Sequence, residues 1–271
     1  MKLAVVGFGN MGRAIVSGMV HRQSTRQLSI VVYDNNTAAL NSLPAKVKAI
    51  APSLWIQKKF IPDCILIAVK PADIKNCLEQ FKPLYADKRF KPLWVSIAAG
   101  ITIDTLQQLL PEKSPVCRVM PNTPALIGQG IAAYALNKFC KKTDAASIEQ
   151  ILNPSGQSVE VPEKQMNAVT GLSGSGPAYV YLFIEALIEG GVSAGLSYSV
   201  ARLLAVQTVI GSAGMVAVSN ESPAVLKSRV MSPGGTTVSG LLVLEENNFK
   251  YAVMKAVAAA TQRAEELGKS K

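Results

Sequence analysis

The stretch Lys2–Ile15, "KLAVVGFGNMGRAI", decides the fold of this chain of 271 residues. Its apolar run predicts a buried strand, and Gly7, Gly9 and Gly12 follow that run with the spacing G-x-G-x-x-G and open a helical pattern. In such a turn the first glycine permits the sharp bend, the second lets a phosphate approach the backbone, and the third lets the helix pack closely. The stretch therefore predicts dinucleotide binding, with a ligand-free tight turn as the alternative.

The pattern that begins there continues to about Pro162. Short runs rich in Val, Ile and Leu alternate with segments of helical spacing, as is typical of parallel strands joined by crossover helices. We predict strands at "LSIVVYD", "CILIAVK", "LWVSIAAG", "SPVCRVM", "GIAAYAL" and "SVEV", and helices at "NMGRAIVSGMVHR", "TAALNSL", "PADIKNCLEQF" and "TIDTLQQLL". Residues 1–162 are thus predicted to be an α/β dinucleotide-binding domain of the Rossmann type, with a doubly wound, mostly parallel sheet.

Residues 163–271 predict an all-helical second domain, because the strand rhythm stops and long helical segments follow. The segments "AYVYLFIEALI" and "LLAVQTVI" are apolar on more than one side, so they must be buried. A domain of this size cannot easily bury so much apolar surface alone, and we predict a homodimer with intertwined helices. Leu203–Val218 contains polar residues and glycines and is predicted to lie between domains or subunits rather than in a membrane.

The net charge, the first residues and the cysteine spacing argue against several classes of protein. The formal net charge is +10, but Lys and Arg are scattered without interleaved aromatic residues, so we expect no nucleic-acid partner. The first residues lack the pattern of a secretory signal. The cysteines, which are Cys64, Cys77, Cys117 and Cys140, are widely spaced, and this argues against a metal site and a disulfide scaffold. We therefore predict a cytoplasmic protein without a metal.

The acidic residue after the second predicted strand bears on the coenzyme. Asp34 stands where a carboxylate hydrogen-bonds the adenosine ribose, which favours NAD because a carboxylate repels the 2′-phosphate of NADP. Asn35 and Asn36 follow it, and no Arg is present there to pair with the phosphate. NADP stays open as the coenzyme, because the Asn side chains together with a loop rearrangement could accept its 2′-phosphate. The alternative role for Asp34 is to cap a turn.

The small number of histidines bears on which reaction the chain could catalyse. The chain has one histidine, His21, near the end of the first predicted helix, where a surface position is expected. Dehydrogenases of alcohols and hydroxy acids usually move a proton through His or Lys, so a histidine relay is nearly excluded. A cyclic imine needs less acid–base help because a protonated C=N bond accepts hydride readily. Binding and orientation then supply most of the rate.

Three stretches are candidates for such a site. Lys70 and Pro71 end a predicted strand at the edge where ligands of this fold lie, and Asn122 and Thr123 stand between two prolines. The third has two parts, "GLSGSGPAYV" (171–180) and "MSPGGTTVSG" (231–240), each of which places hydroxyls and glycines ahead of a helix. Backbone N–H groups at such helix starts suit a carboxylate. The alternatives are ordinary turns and helix caps.

Taken together, "GFGNMG", "AVKP", "RVMPNTP", "GLSGSGPAYVYLFIEAL" and "SPGGTT" resemble the pyrroline-5-carboxylate reductase family over nearly the whole chain. The resemblance implies a Rossmann domain, a helical dimerisation domain and NAD(P)H-dependent reduction of 1-pyrroline-5-carboxylate to L-proline, the last step of proline biosynthesis. It implies NADPH as the donor, with NADH plausible. It also implies a site drawn from both subunits of a homodimer, with a higher oligomer left open.

The resemblance also implies roles for individual residues. The catalytic residues it implies are Thr237, Ser175 and Lys70, with Thr237 donating a hydrogen bond at the ring nitrogen. The implied cofactor-binding residues are Gly7, Phe8, Gly9, Asn10, Met11, Gly12, Asp34, Asn35, Asn36, Ala68, Val69, Lys70, Pro71, Ala98 and Asn122. The implied substrate-binding residues are Ser175, Gly176, Ser232, Gly234, Gly235, Thr236 and Thr237. The chain departs from the family at Asp34–Asn36, where members frequently have other polar or basic residues. It also departs at Asn167, where members often carry an acid.

Two other functions remain open from the residues alone. One is a β-hydroxyacid-type dehydrogenase that works through a lysine such as Lys227. The other is a non-enzymatic NAD(P)-sensing dimer, for which no appended recognition domain is evident. An assay with the imine separates all three.

Overall fold

The computed structural model describes residues 1–22 and 28–269, so the last two residues of the predicted helical domain lie outside the described part. Contacts divide the chain into two compact units. The sheet unit comprises Met1–Ser175 with Ala259–Lys271, and the helical unit comprises Gly176–Ala258.

The sheet unit contains an eight-stranded sheet with the order β3-β2-β1-β4-β5-β6-β7-β8. The strands are β1 (Lys2–Val6), β2 (Ser29–Tyr33), β3 (Lys48–Ala49), β4 (Cys64–Ile67), β5 (Leu93–Ser96), β6 (Val116–Met120), β7 (Gly130–Leu136) and β8 (Gly156–Glu160). After β1 the chain builds outward through β2 and β3, then crosses to the other side of β1 and builds through β4, β5 and β6. The predicted doubly wound, mostly parallel sheet is confirmed.

The two faces of the sheet are both buried, which explains why the strand sequences are almost continuously apolar. Helices α1 (Asn10–Arg22) and α4 (Lys142–Leu152) cover one face, where Ile15 and Ile148 pack on strand residues such as Val5. Helices α2 (Ile74–Glu79), α3 (Ile103–Leu109) and α5 (Met166–Val169) cover the other. The sheet unit therefore closes its own core.

Three features of the sheet unit either differ from the sequence prediction or were not part of it. Strand β7 pairs antiparallel to β6, because the loop of residues 121–129 returns the chain directly instead of through a crossover helix. The segment "TAALNSL", predicted as a helix, forms a 3₁₀ helix at Thr37–Ser42, and the sequence did not indicate α4.

The helical unit contains α6 (Gly176–Ser193), α7 (Tyr198–Val218), α8 (Pro223–Arg229), α9 (Thr236–Glu246) and the first part of α10 (Phe249–Lys269). Helices α6 and α7 form a hairpin in which Gly191 faces Ala201 so closely that an added Cβ would lie 3.1 Å from the alanine methyl carbon. Ser197 caps α7 by accepting from the Val200 N–H. The predicted all-helical C-terminal domain is confirmed.

Candidate functional site

The glycine-rich turn between β1 and α1 is held by backbone contacts. Gly7 has φ +96°, a conformation that other residues rarely adopt, and its N–H donates to the Tyr33 carbonyl oxygen at 2.8 Å. A Cβ on Gly7 would lie 2.6 Å from the Ala68 carbonyl carbon. The first glycine is therefore required both by its dihedral angle and by the close approach of the segment that follows β4.

The other two glycines differ in what surrounds them. A Cβ on Gly12 would collide with the Gly7 carbonyl oxygen, so this glycine serves the packing of α1 on the turn. Gly9 is exposed, and among the described residues no atom outside residues 8–10 lies within 4 Å of the position of an added Cβ. Open space beside a backbone that starts a helix of 13 residues is a cradle that a pyrophosphate group fits.

Asp34 and its two neighbours are held by local hydrogen bonds. The Asp34 carboxylate accepts from the Phe8 N–H at 2.6 Å and from the Asn36 N–H at 2.8 Å. The Asn35 amide oxygen accepts from the Tyr33 hydroxyl, and the Asn36 amide oxygen accepts from the Ala38 N–H. Both asparagines thus use their oxygens in these bonds, and the bonds leave their NH₂ donors uncommitted.

A cleft of about 350 Å³ opens where the carboxyl ends of β1, β2 and β4 meet. This edge, between β1 and β4, is the point where the strand order reverses, and ligands of open α/β sheets bind there. The predicted site residues that line the cleft are Gly7, Gly9, Asp34, Asn35, Ala68, Val69 and Lys70. Three stretches far apart in sequence are therefore brought together.

Several lining residues were not predicted: Val6, Tyr33, Asp73, Asn76, Cys77 and Gln80. The last four follow Lys70, where the predicted strand ends, and have the spacing of one helix face, i, i+3, i+4 and i+7. That periodicity was present in the sequence and could have identified them. Burial, followed by the negative charge of Asp73, raises the pKa of the Cys77 thiol to about 12, so this thiol stays neutral near pH 7.

Other predicted cofactor residues lie outside the cleft lining. Phe8 is fully buried and belongs to the core on the α1 face, with the Arg13 guanidinium 5.6 Å from its ring centroid. Ala98 is buried, and the Asn122 amide oxygen accepts from the Ile131 N–H at 3.0 Å, which closes the loop between β6 and β7. The lining likewise omits Asn10, Met11, Gly12, Asn36 and Pro71.

The "GLSGSG" segment forms a π-helical turn at Thr170–Gly174, directly after α5. The Ser175 N–H donates to the Thr170 carbonyl oxygen at 2.9 Å, a wider turn than an α-helix makes. An added Cβ on Gly174 would lie 2.5 Å from the Met120 Cε, so the turn rests on the end of β6. Turns of this kind are frequent at functional sites, and this one places Ser175 just before α6.

The "SPGGTT" segment forms a tight turn ahead of α9 in the helical unit. Gly234 has φ +66°, and the Gly235 N–H donates to the Ser232 carbonyl oxygen at 2.9 Å. Thr236 and Thr237 occupy the first turn of α9, where N–H groups lack helical partners. Thr237 is half-buried, whereas Ser232 and Thr236 are exposed.

His21 is exposed in the last turn of α1 and is not among the residues that line the cleft. Within residues 1–22 and 28–269, no group of three His, Cys, Asp or Glu side chains is arranged to hold a metal. In the described part of the chain, one helix, Tyr198–Val218, is long and apolar enough by composition to cross a membrane.

Comparison with known proteins gives matches along the whole chain. A family model described as pyrroline-5-carboxylate reductase dimerisation matches residues 163–267, and one described as NADP oxidoreductase, coenzyme F420-dependent, matches residues 2–100. The pyrroline-5-carboxylate reductase of Synechocystis is 39% identical, and the match covers 99% of both chains. That of Escherichia coli is 35% identical, and again 99% of both chains are covered.

Solved structures give the same result. A Plasmodium falciparum pyrroline carboxylate reductase with NADP bound has 35% identity and a TM-score of 0.84, with 99% of this chain and 98% of that chain covered. A Coxiella burnetii pyrroline-5-carboxylate reductase has 33% identity and a TM-score of 0.88, with 98% and 97% covered.

Proposed function

The chain belongs to the pyrroline-5-carboxylate reductase family, and from that premise we propose which of its residues carry the reaction. It is an NAD(P)H-dependent oxidoreductase that reduces the C=N bond of 1-pyrroline-5-carboxylate to give L-proline, with NADP as its coenzyme. These relatives favour the reductase over the hydroxyacid dehydrogenase and over the non-enzymatic sensor.

The observation that carries the assignment of the coenzyme site is the convergence of three stretches on one cleft. The glycine-rich turn, the segment after β2 and the segment after β4 line that cleft at the reversal point of the sheet. We assign the pyrophosphate to the open side of Gly9 and the helix start behind it. The cofactor-binding residues of this proposal are Gly7, Phe8, Gly9, Asn10, Met11, Gly12, Asp34, Asn35, Asn36, Ala68, Val69, Lys70, Pro71, Ala98 and Asn122.

The asparagines after Asp34 support NADPH as the preferred donor. Their amide oxygens are engaged by Tyr33 and Ala38, and NH₂ groups donate well to phosphate oxygens. Asn35 and Asn36 therefore take the place that an Arg has in other NADP sites, and NADH remains the weaker alternative.

The substrate is proposed to bind at the two serine- and glycine-rich helix starts. Ser175 and Gly176 open α6, and Ser232, Gly234, Gly235, Thr236 and Thr237 surround the start of α9. N–H groups in the first turn of α9 lack helical partners and favour the substrate carboxylate. We assign to the half-buried Thr237 hydroxyl a hydrogen bond at the ring nitrogen.

When bound, the reduced nicotinamide supplies the hydride. The residues of this chain bind and orient the substrate, and Ser175, Thr237 and Lys70 are the catalytic residues of the proposal. Lys70 is exposed at the rim of the cleft, where its charge attracts anionic ligands. Among the cleft-lining side chains, the Cys77 thiol is neutral and no histidine is present. We assign protonation of the imine to solvent, before hydride transfer, and assign to Lys70 the attraction of anionic ligands rather than proton transfer.

A homodimer is proposed because the helical unit leaves most of its large apolar side chains exposed. Leu182, Leu203 and Ile210 are each more than half exposed, and the family model that covers this half is described as a dimerisation domain. The Tyr198–Val218 helix is thereby assigned to a subunit interface rather than to a membrane. We place the domain boundary between residues 162 and 163, where that family model begins, and the protein in the cytoplasm.

The test is an assay of the purified protein with 1-pyrroline-5-carboxylate and either NADPH or NADH. Loss of reduced-nicotinamide absorbance with stoichiometric formation of L-proline is the expected result, faster with NADPH. A β-hydroxy acid with the oxidised coenzyme serves as the control reaction and should give no signal. Absence of proline formation, with a well-folded dimer in hand, would overturn the proposal.

A further inference from the structure

Two aspartates from other parts of the chain flank strand β1, one near each end, and each accepts a hydrogen bond from a backbone N–H group. At its beginning the Lys2 N–H donates to the Asp63 carboxylate at 2.7 Å, and beyond its end the Phe8 N–H donates to the Asp34 carboxylate at 2.6 Å. Hydrogen bonds from N–H groups to an ionised carboxylate are stronger than those between neutral groups. The second of these bonds lies inside the glycine-rich turn.

Asp34 joins two separate loops. One carboxylate oxygen holds the Phe8 N–H, between Gly7 and Gly9, and the other holds the Asn36 N–H in the segment after β2. The Phe8 side chain is fully buried in the core, so the turn is fixed by its side chain on one side and by its N–H on the other. These contacts set the direction of the N–H groups that follow at Gly9.

This arrangement differs from the role that the sequence predicted. A carboxylate that binds the ribose directly should discriminate against a 2′-phosphate. The Asp34 oxygens instead each receive a backbone N–H, which offsets part of the negative charge, and the two Asn side chains stand next to it in sequence.

We propose that Asp34 is a positioning residue: its carboxylate clamps the glycine-rich turn to the loop after β2 and sets the affinity for both coenzymes alike, without selecting between NADPH and NADH. The proposal rests on the proposed function of the cleft. It gives Asp34, already one of the proposed cofactor-binding residues, a role that acts through the backbone of the turn.

The test compares Asp34→Asn with Asp63→Asn. Both variants remove one carboxylate that accepts an N–H from the segment around β1, but only Asp34 lies in the cleft. The measurements are the dissociation constants of NADPH and NADH by calorimetry and the hydrogen-exchange rate of the Phe8 amide in the coenzyme-free protein. An Asn side chain turns an NH₂ group toward one of the two N–H donors, so the turn must shift.

In Asp34→Asn we expect both dissociation constants to rise roughly tenfold, with a ratio that stays within about threefold, and Phe8 exchange to accelerate. Asp63→Asn should lower thermal stability and leave both dissociation constants unchanged. If the role of Asp34 were only structural, Asp34→Asn would give that same pattern. If Asp34→Asn does not fold, Asp34→Glu keeps the charge but displaces the carboxylate by one methylene, and the same changes are expected.

Two results would overturn the clamp: Phe8 exchange unchanged in the variant, or NADPH binding strengthened at least about tenfold relative to NADH, as direct contact with the ribose predicts. A wild-type protein that binds neither coenzyme would instead refute the proposed function, since the Phe8 exchange measurement needs no coenzyme.

Discussion

The sheet unit buries most of its large apolar side chains, whereas the helical unit leaves most of its own exposed. The sheet unit buries both faces of its strands under its own helices, and Trp94, Phe81 and Trp55 form a continuous buried aromatic cluster. In the helical unit, every residue of which is described, Ile188, Ala201 and Ala205 are the buried ones. Val218, at 82% exposed, lies at the end of its longest helix.

The difference shows what each unit requires. Apolar surface left in water is unfavourable in proportion to its area, so the many exposed apolar side chains of the helical unit indicate an interface. The sheet unit buries its apolar residues within itself. The helical unit is as rich in apolar residues as a core, but it is too small to bury them without a partner. Four changes would break or sharpen this contrast, and they follow in order of expected effect.

The largest effect is expected from a charge on the exposed face of α7. Leu203→Lys should convert the dimer to a monomer, because burying an ammonium group without a partner costs about 3 kcal/mol or more, or roughly a hundredfold in the dimer dissociation constant. Light scattering measures this, and activity should fall with it. Leu54→Lys, on an exposed leucine of the sheet unit, is the control and should stay dimeric. A dimeric Leu203→Lys would show that the dimer uses another surface.

Thr237→Ala tests the helical unit as the holder of substrate. Loss of one hydrogen bond to a charged substrate should lower kcat/KM by roughly tenfold to a thousandfold and leave the dissociation constant of NADPH unchanged. Ser222→Ala removes a hydroxyl that only caps α8, and should affect stability alone. Unchanged kinetics in Thr237→Ala would remove Thr237 from the site.

A pair of glycine variants separates folding from coenzyme binding in the sheet unit. Gly12→Ala should lower the free energy of unfolding by about 1–3 kcal/mol, because the new methyl group meets the Gly7 carbonyl. Gly9→Ala has room for its methyl group, so stability should change by no more than about 0.5 kcal/mol while NADPH affinity falls. Chemical denaturation and calorimetry measure the two quantities. Equal loss of stability in both would refute the assignment of Gly9 to the ligand.

Alkaline pH should weaken the sheet unit selectively, because all four cysteines of the chain lie there. Burial raises the pKa of Cys64 and raises that of Cys77 to about 12, above the value near 9 of an exposed thiol. The stability from these neutral thiols is complete below pH 9 and is lost as pH rises from 9 toward 12. Each contributes at most about 1.4 kcal/mol per pH unit there.

Urea unfolding at pH 8, 9 and 10, followed by tryptophan fluorescence, measures this effect. Both tryptophans, Trp55 and Trp94, are buried in the sheet unit and report on it. Cys77→Ala should reduce the slope of stability against pH. A slope that does not change in that variant would contradict the assignment to Cys77.

Much of the fold and part of the site followed from the sequence, because the features concerned are local. The turn of Gly7, Gly9 and Gly12 is specified within six residues, and the buried strands by runs that need no other information. The antiparallel β7 was not foreseen, because strand direction depends on the return path of the chain. The helical spacing of Asp73, which precedes α2, and Asn76 within it was present in the sequence. That spacing alone did not show that these two side chains line the cleft, because this depends on where α2 packs.

The sequence by itself determined the strand–turn–helix, the change from a sheet to helices, and the family, since each depends on residues near one another in the chain. The tertiary structure decided which distant groups meet. Asp34 stands 26 residues from Phe8 and Gly174 stands 54 residues beyond Met120, yet each pair is in contact. Such contacts depend on the order and register of the strands, which the packing of the whole sheet unit sets.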